Sequence, residues 1–307
     1  MRAPSIHHLP SMVSLRSSLL AGMGLAACSD QVPVQGASSG AGGTGGTTCA
    51  TGRPLYVDGR PRTAPAGSRA DWTAPGFSLR ITVLPAPTRA AAAQRWLEIA
   101  ALEHASVASF ARFTLELLAL GAPAELLAGA QRAGLDEVEH ARLAYAAASA
   151  YAGRPLGPEG LDLTAVEVRR DARAVMRSLI LEGCVGETLG VTEATALAGE
   201  AHDVGLRRAH ARIAADEQRH AELSWRALGW MLEGASAETA RFVARCFDEA
   251  ADVMGCDPAP TEVVAPEHGL LSASTIGELR RRALREVVAP CAAALLGHAG
   301  GHEAEAA

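Results

Sequence analysis

Aromatic residues are scarce in this chain, and long apolar runs are missing from it. Phe, Trp and Tyr make up 4% of the 307 residues, although 49% of all residues are hydrophobic. Because Ala and Leu supply most of that share and favour helices, whereas aromatic residues favour strands, we predict a helical fold. No stretch near the middle has the roughly 20 uninterrupted apolar residues that a membrane-spanning helix needs.

A surplus of positive charge is also missing, as are metal-type cysteine pairs. The chain has 28 Lys and Arg residues against 34 Asp and Glu, for a net charge of −6, so nothing favours nucleic-acid binding. No Cys-x-x-Cys pair occurs among the six cysteines. The length suits one large or two modest domains.

Residues 1–28 have the pattern of a secretory signal, with Met1 or Met12 as the start. Arg16 precedes a short apolar run that ends in small residues and is too short to span a membrane. The ending Leu25-Ala-Ala-Cys28 resembles the lipobox of bacterial lipoproteins, which implies that Cys28 is lipidated. An ordinary signal peptide with a chance cysteine is the alternative. By this resemblance the chain is anchored in the bacterial cell envelope, in the periplasm or facing the outer membrane, and it contacts the membrane through the lipid.

The remainder divides into a tether, a hairpin segment and helices. Residues 29–52 are rich in Gly, Ser and Thr and are expected to form a flexible tether. In residues 53–87, Asp58-Gly59 lies between two β-favouring runs, which predicts a small hairpin. We predict four long helices over residues 88–234, the third opened by a capping box at Thr164-Ala-Val-Glu167. Two further helices are predicted in residues 235–307, the last capped at Thr275.

Cysteine pairing is expected in the C-terminal helices, because an exported chain permits disulfides. Cys246 and Cys256 lie ten residues apart on one predicted helix, which is too far for a direct bond. Cys291 paired with either of them is therefore the expected disulfide.

One short motif occurs twice. Asp-Glu-x-x-His appears at two places 80 residues apart, as Asp136, Glu137, His140 and as Asp216, Glu217, His220. Residues i and i+3 share a helix face, and here that face also carries small and apolar residues, so the Glu and His side chains point inward. Burying two carboxylates and two imidazoles together is costly unless they bind a cation.

An upstream glutamate is expected for each copy of the motif. Glu103 precedes Glu137 by 34 residues, and Glu182 precedes Glu217 by 35, which favours Glu182 by repeat symmetry. Glu187, 30 residues before Glu217, is either a second carboxylate or the real ligand. Nearby Gly183, Gly186 and Gly190 leave room for a substrate or serve close helix packing. His210 also lies on the inward stripe, where a buried structural histidine is the simpler interpretation.

Residues 88–234 resemble the ferritin-like di-iron carboxylate superfamily, and in particular its rubrerythrin-type and bacterial multicomponent oxygenase members. The resemblance rests on Glu103, "DEVEH", "LEGCVGE" and "DEQRH". It implies an all-α ferritin-like four-helix bundle, extended here by two C-terminal helices and the N-terminal hairpin, that holds two iron ions or an Fe/Mn pair. The metal ligands would be Glu103, Glu137, His140, Glu182, Glu187, Glu217 and His220. Glu137 and Glu217 would bridge the ions, and Asp136 and Asp216 would orient the histidines.

The same resemblance implies an oxidoreductase that uses O2 or peroxide with an unknown reductant or small-molecule substrate. An iron-binding or ferroxidase-type protein is one alternative, and a metal-free structural bundle is another. The rubredoxin-like four-cysteine module of complete rubrerythrins has no counterpart in this sequence.

Overall fold

The computed structural model describes residues 12–22, 52–79, 81, 84–258 and 263–305. These residues form an all-α protein with small antiparallel strand pairs. The elements are α1 (Met12–Gly22), β1 (Tyr56–Val57), β2 (Arg60–Pro61), β3 (Ala66–Gly67), α2 (Ala86–Ala119), α3 (Ala124–Ala152), β4 (Gly157–Pro158), α4 (Ala172–Ser178), a first π-helix (Leu179–Glu187), α5 (Thr188–Glu200), α6 (Val204–Met231), α7 (Ala237–Met254), a 3-10 turn (Pro266–His268), α8 (Ala273–Ala283), a second π-helix (Leu284–Val288) and α9 (Ala289–Glu305).

The predicted N-terminal hairpin is confirmed. Strand β1 pairs antiparallel with β2, and Tyr56 lies opposite Pro61. Asp58 and Gly59 have φ values of 52° and 73°, and two positive values in succession are those of the tight turn that Asp-Gly favours. A second pair, β3 with β4, joins this segment to the loop after α3.

Most helix ends agree with the sequence, but the third long helix does not start where its capping box predicted. The segment around Thr164 is a turn, and Ala165 has a φ of 62°, which is incompatible with a helix. The helix begins at Ala172 instead, where the Asp171 carboxylate accepts a hydrogen bond from the Ala174 amide. Similarly, Ser272 rather than Thr275 caps α8.

The long helices pack around two apolar clusters. Helix α2 packs along α3, α5 packs along α6, and α3 also contacts α6. One cluster contains Phe110, Phe113 and Trp225, and helices α7 and α9 cover it. The other contains Trp96 and Tyr145. Within α2, α3 and α6, the polar positions predicted as ligands lie between the residues that build the two clusters.

Helix α1, which lies in the predicted signal segment, packs against α6 and the second π-helix. Its Leu15 and Leu19 are buried. Cys28 and the predicted tether lie outside the described residues, apart from Gly52. Among the helices that the structure describes, none is long and apolar enough to cross a membrane.

The predicted pairing of Cys291 is wrong. Cys184, Cys246 and Cys291 are all free and buried. Cys246 and Cys291 belong to the larger apolar cluster, where they act as small apolar side chains.

Candidate metal centre

Six of the predicted ligands lie close together near the middle of the long helices. Glu103 comes from α2, Glu137 and His140 from α3, Glu187 from the end of the first π-helix, and Glu217 and His220 from α6. Two groups of four have ligand atoms within 4.8 Å of one another, namely Glu103, Glu137, His140 and Glu217, and Glu137, Glu187, Glu217 and His220. Glu103 is partly exposed and the other five are buried.

Glu137 and Glu217 belong to both groups, and each turns one oxygen to each histidine. The Oε2 of Glu137 lies 3.6 Å from His140 Nδ1, and its Oε1 lies 3.1 Å from His220 Nδ1. For Glu217 the corresponding distances are 3.8 Å from Oε1 to His140 Nδ1 and 3.5 Å from Oε2 to His220 Nδ1. Each carboxylate therefore spans the two groups.

Several of these atoms are buried and have no hydrogen-bond partner among the residues that the structure describes. They are Glu137 Oε2, His140 Nδ1, both carboxylate oxygens of Glu187, Glu217 Oε2 and His220 Nδ1. A buried polar atom that lacks a partner costs on the order of 1–3 kcal/mol when neutral and more when charged. Carboxylate oxygens and imidazole nitrogens are ligands of divalent metals, so this buried Glu/His group could hold a metal ion.

The charges within the group depend on one another. Burial alone would lower the pKa of His140, but the hydrogen bond to Asp216 and the nearby carboxylates of Glu103 and Glu137 hold that pKa well above its usual value. The pKa of His220 is raised in the same way, chiefly by Asp136 and Glu137. Burial raises the pKa of Glu103 to about 8. Burial and the neighbouring Glu217 raise the pKa of Glu187 well above its usual value.

The two motif aspartates contact the histidines in a crossed arrangement. Asp216 Oδ2 lies 3.0 Å from His140 Nε2, and Asp136 Oδ2 lies 3.3 Å from His220 Nε2. Each histidine is thus oriented by the aspartate of the other motif copy. Arg219 joins the pairs, because its Nη2 donates to Asp216 Oδ1 at 2.6 Å and to Asp136 Oδ2 at 3.1 Å.

Glu182, which repeat symmetry favoured as a ligand, lies apart from the other six. Arg112 Nη2 donates to both of its oxygens, at 2.8 and 2.7 Å, and Ser109 Oγ donates to Oε2 at 3.2 Å. Arg53 Nε lies 3.9 Å from the same carboxylate. Glu182 is therefore the buried partner of two arginines, and Glu187 supplies the carboxylate on this side of the group.

The first π-helix helps to explain why Glu187, rather than Glu182, lies in the ligand group. A π-helix closes hydrogen bonds from i to i+5, so its side chains leave the register of an ordinary α-helix. The second hairpin also has a shorter interval between its glutamates, 30 residues from Glu187 to Glu217 against 34 from Glu103 to Glu137. The shortfall corresponds to about one helical turn.

Glycines in the third long helix make room for the segment Gly52–Arg53. The Gly52 amide donates to the Gly186 carbonyl at 3.1 Å, and a Cβ on Gly186 would lie 2.4 Å from the Gly52 oxygen. The adjacent Arg53 is 1% exposed, and its guanidinium lies 4.1 Å from the centre of the Phe113 ring. The segment Gly52–Arg53 thus fills the space that the sequence had left open for a substrate or a helix contact.

Sequence reasoning missed the three arginines around the group. Arg219 could have been found, because it lies three residues after Asp216 on the same helix face. Arg112 and Arg53 had no such signal, since their partners come from distant elements. No protein-family model, curated protein or solved structure matches the chain.

The two glutamates of the third helix should have separable effects. We expect Glu187→Gln to weaken Mn²⁺ binding by at least about tenfold, since even groups that only support metal ligands account for 10–100-fold. Glu182→Gln should leave metal binding near normal but lower the free energy of unfolding by about 3–5 kcal/mol, because Arg112 and Arg53 lose their buried partner. Metal titration and urea denaturation measure the two effects. The reverse pattern would assign the ligand role to Glu182.

Metal binding should release protons. In the metal-free chain, raised pKa values keep His140, His220 and Glu103 protonated near neutral pH, and the raised pKa of Glu187 makes that carboxylate hold its proton to a higher pH than usual. Those protons must leave before the atoms can bind a cation, so affinity should increase with pH, by more than about tenfold from pH 6 to 7. Mn²⁺ titration calorimetry in buffers of different ionisation enthalpy counts the protons. Binding without proton release would contradict this charge assignment.

Alanine substitutions should distinguish two glycines of the same helix. Gly186→Ala forces its Cβ into the Gly52 carbonyl oxygen, and we expect a loss of about 1–3 kcal/mol in the free energy of unfolding, as for other overpacked sites. Gly190→Ala is the control, because the nearest described atoms to its Cβ would lie 3.6 Å away, at an ordinary contact distance. Both gain the same helix propensity. Equal urea midpoints for the two variants would show that Gly52–Arg53 does not pack on this helix.

Proposed function

We propose that the chain is a ferritin-like four-helix bundle that binds two iron ions, or an Fe/Mn pair, and acts as an oxidoreductase toward O2 or peroxide. The observation that carries the proposal is the sharing of Glu137 and Glu217 between two ligand groups. In ferritin-like di-iron proteins, two helices each supply a Glu and two others each supply Glu-x-x-His. Here Glu103 and Glu187 take the first role and the two motif copies take the second.

The charges support two divalent ions. Four ionised carboxylates, from Glu103, Glu137, Glu187 and Glu217, carry a charge of −4 that two divalent ions neutralise. In this assignment His140 and Glu103 belong to one ion, and His220 and Glu187 belong to the other. Mixed oxygen and nitrogen donors suit iron or manganese.

The protein's own residues have definite tasks in this function. Bound iron would supply electrons to the oxidant. Asp216 and Asp136 hold the Nε2 protons of His140 and His220, which directs each Nδ1 toward the ligand group. Arg219 holds both aspartates in place. The apolar clusters on either side reduce the polarity of the surroundings, which strengthens charge interactions within the group.

Metal stoichiometry and reactivity test the proposal. We expect the purified full chain to bind two Fe(II) per chain without oxygen, and the bound Fe(II) to be oxidised rapidly when O2 or peroxide is mixed in. Elemental analysis and stopped-flow absorbance measure both. His220→Ala, which removes a ligand of one ion only, should reduce binding toward one ion. A wild-type chain with one ion or none would refute the di-iron centre, and uptake far above two would favour iron storage.

We also propose that the chain is attached to the cell envelope through a lipid on Cys28, on the basis of the lipobox-like sequence that ends there. Cys28→Ser should block processing or release the protein to the soluble fraction, because one cysteine thiol carries the anchor. Fractionation of cells that express each form measures this. Equal membrane partitioning of variant and wild type would refute the anchor.

A further inference from the structure

A small pocket beside the ligand group is not explained by the metal ligands. It lies between α2, α5 and α6 and has a volume of about 90 Å³. Glu103 and Glu217, both from the first ligand group, form one side of it. Trp96, Leu197, His210 and Ile213 form much of the remaining wall. A molecule in the pocket would therefore be in contact with the group that contains His140.

Most polar side chains of the pocket already have partners. Ser106 Oγ donates to the Leu102 carbonyl at 3.1 Å. Glu193 accepts a hydrogen bond from Arg280 Nε at 2.8 Å. Arg95 Nη1 lies 3.6 Å from a Glu98 oxygen. Each of these groups thus has at least one partner within the protein.

His210 is the exception. It is 3% exposed, and its Nε2 has no hydrogen-bond partner among the residues that the structure describes. Its ring packs against the Trp96 ring with 5.0 Å between centroids. Trp96 is itself fixed, because its Nε1 donates to the His268 carbonyl at 3.0 Å. The imidazole is therefore held in place while one of its nitrogens is left unpaired.

Burial lowers the pKa of His210 to about 4, so the ring is neutral near pH 7. A neutral imidazole has one N–H donor and one acceptor nitrogen. A buried nitrogen without a partner is costly, and a bound polar molecule would remove that cost.

We propose that this pocket binds the small molecule that reacts at the metal centre, and that His210 positions it through a hydrogen bond at Nε2. The inference rests on the proposed function. The accessible volume of about 90 Å³ is small, which favours a ligand of few non-hydrogen atoms. Apolar walls from Ile99, Leu102, Ala194, Leu197 and Ile213 favour a neutral molecule over an ion. The ligand class is therefore a small neutral molecule with a hydrogen-bonding end.

Binding can be tested without metal. We expect hydrogen peroxide to shift the Nε2 resonance of His210 saturably in the ¹⁵N-histidine spectrum of the metal-free full chain, the resonance being assigned by its loss in His210→Gln. tert-Butyl hydroperoxide, which is too bulky for the pocket, should leave it unchanged. Leu197→Ala shortens a side chain in the pocket wall and so enlarges the pocket. This variant should let the bulky probe shift the same resonance. No response to hydrogen peroxide, or an equal response of the wild type to both probes, would overturn the proposal.

Reactivity supplies the second test. With iron bound, the centre would supply two electrons, and with two protons from the solvent the O–O bond of hydrogen peroxide would break to give two waters. For His210→Leu we expect at least a tenfold higher half-saturating peroxide concentration with a similar limiting rate, because the lost contact positions peroxide and binds no metal. His210→Gln keeps a donor and an acceptor and should restore most of the affinity. Exposed His202, which lies outside the pocket, provides the control variant His202→Gln.

The outcomes separate this inference from the proposed function. If His210→Leu binds two Fe(II) and reacts with wild-type concentration dependence, the pocket role is wrong and the di-iron function stands. If wild type binds no iron yet its His210 resonance responds to hydrogen peroxide alone, the pocket stands and the di-iron function fails.

Discussion

Repulsion among buried carboxylates is the constraint on which the rest of this structure depends. Glu137, Glu187 and Glu217 lie together in one group within 4.8 Å, and Glu103 joins two of them in the other. Two like charges about 4 Å apart repel by roughly 4 kcal/mol at an effective dielectric constant of about 20. Two features oppose that repulsion here. Protons or a cation reduce the charge, and apolar packing on both sides of the group holds the helices together.

Acidic residues just outside the ligand group are paired with arginines. Glu182 is neutralised by Arg112 and approached by Arg53, and Arg219 joins Asp136 to Asp216. Within the part of the chain that the structure describes, the inner carboxylates have no arginine at hydrogen-bonding distance. An arginine that pairs with a carboxylate neutralises it and occupies its oxygens. The outer carboxylates therefore do not compete for an ion, and the inner oxygens are left available to bind one.

The sequence predicted the parts of the site that depend on local spacing. A Glu and a His three residues apart must share a helix face, so Glu137 with His140 and Glu217 with His220 could be assigned from the motif alone. The choice between Glu182 and Glu187 could not be made in this way, because it depends on a π-helix and on a hairpin shorter by about one turn. The position of Arg53 could not be predicted either, because it follows from tertiary packing against glycines rather than from any local pattern. The third helix was misplaced at its start because a capping sequence also fits a turn, as it does at Thr164.

The crossed aspartates mean that neither helical hairpin is chemically complete. His140 depends on Asp216, His220 depends on Asp136, and each ligand group takes carboxylates from both hairpins. A single hairpin of this kind could assemble a centre only by meeting a second copy around a two-fold axis. Joining two such hairpins in one chain removes the concentration dependence of that encounter, and it frees the halves to diverge. Arg219 is an example of that freedom, because the equivalent position in the first motif is Glu139, which forms a salt bridge with Arg142 instead.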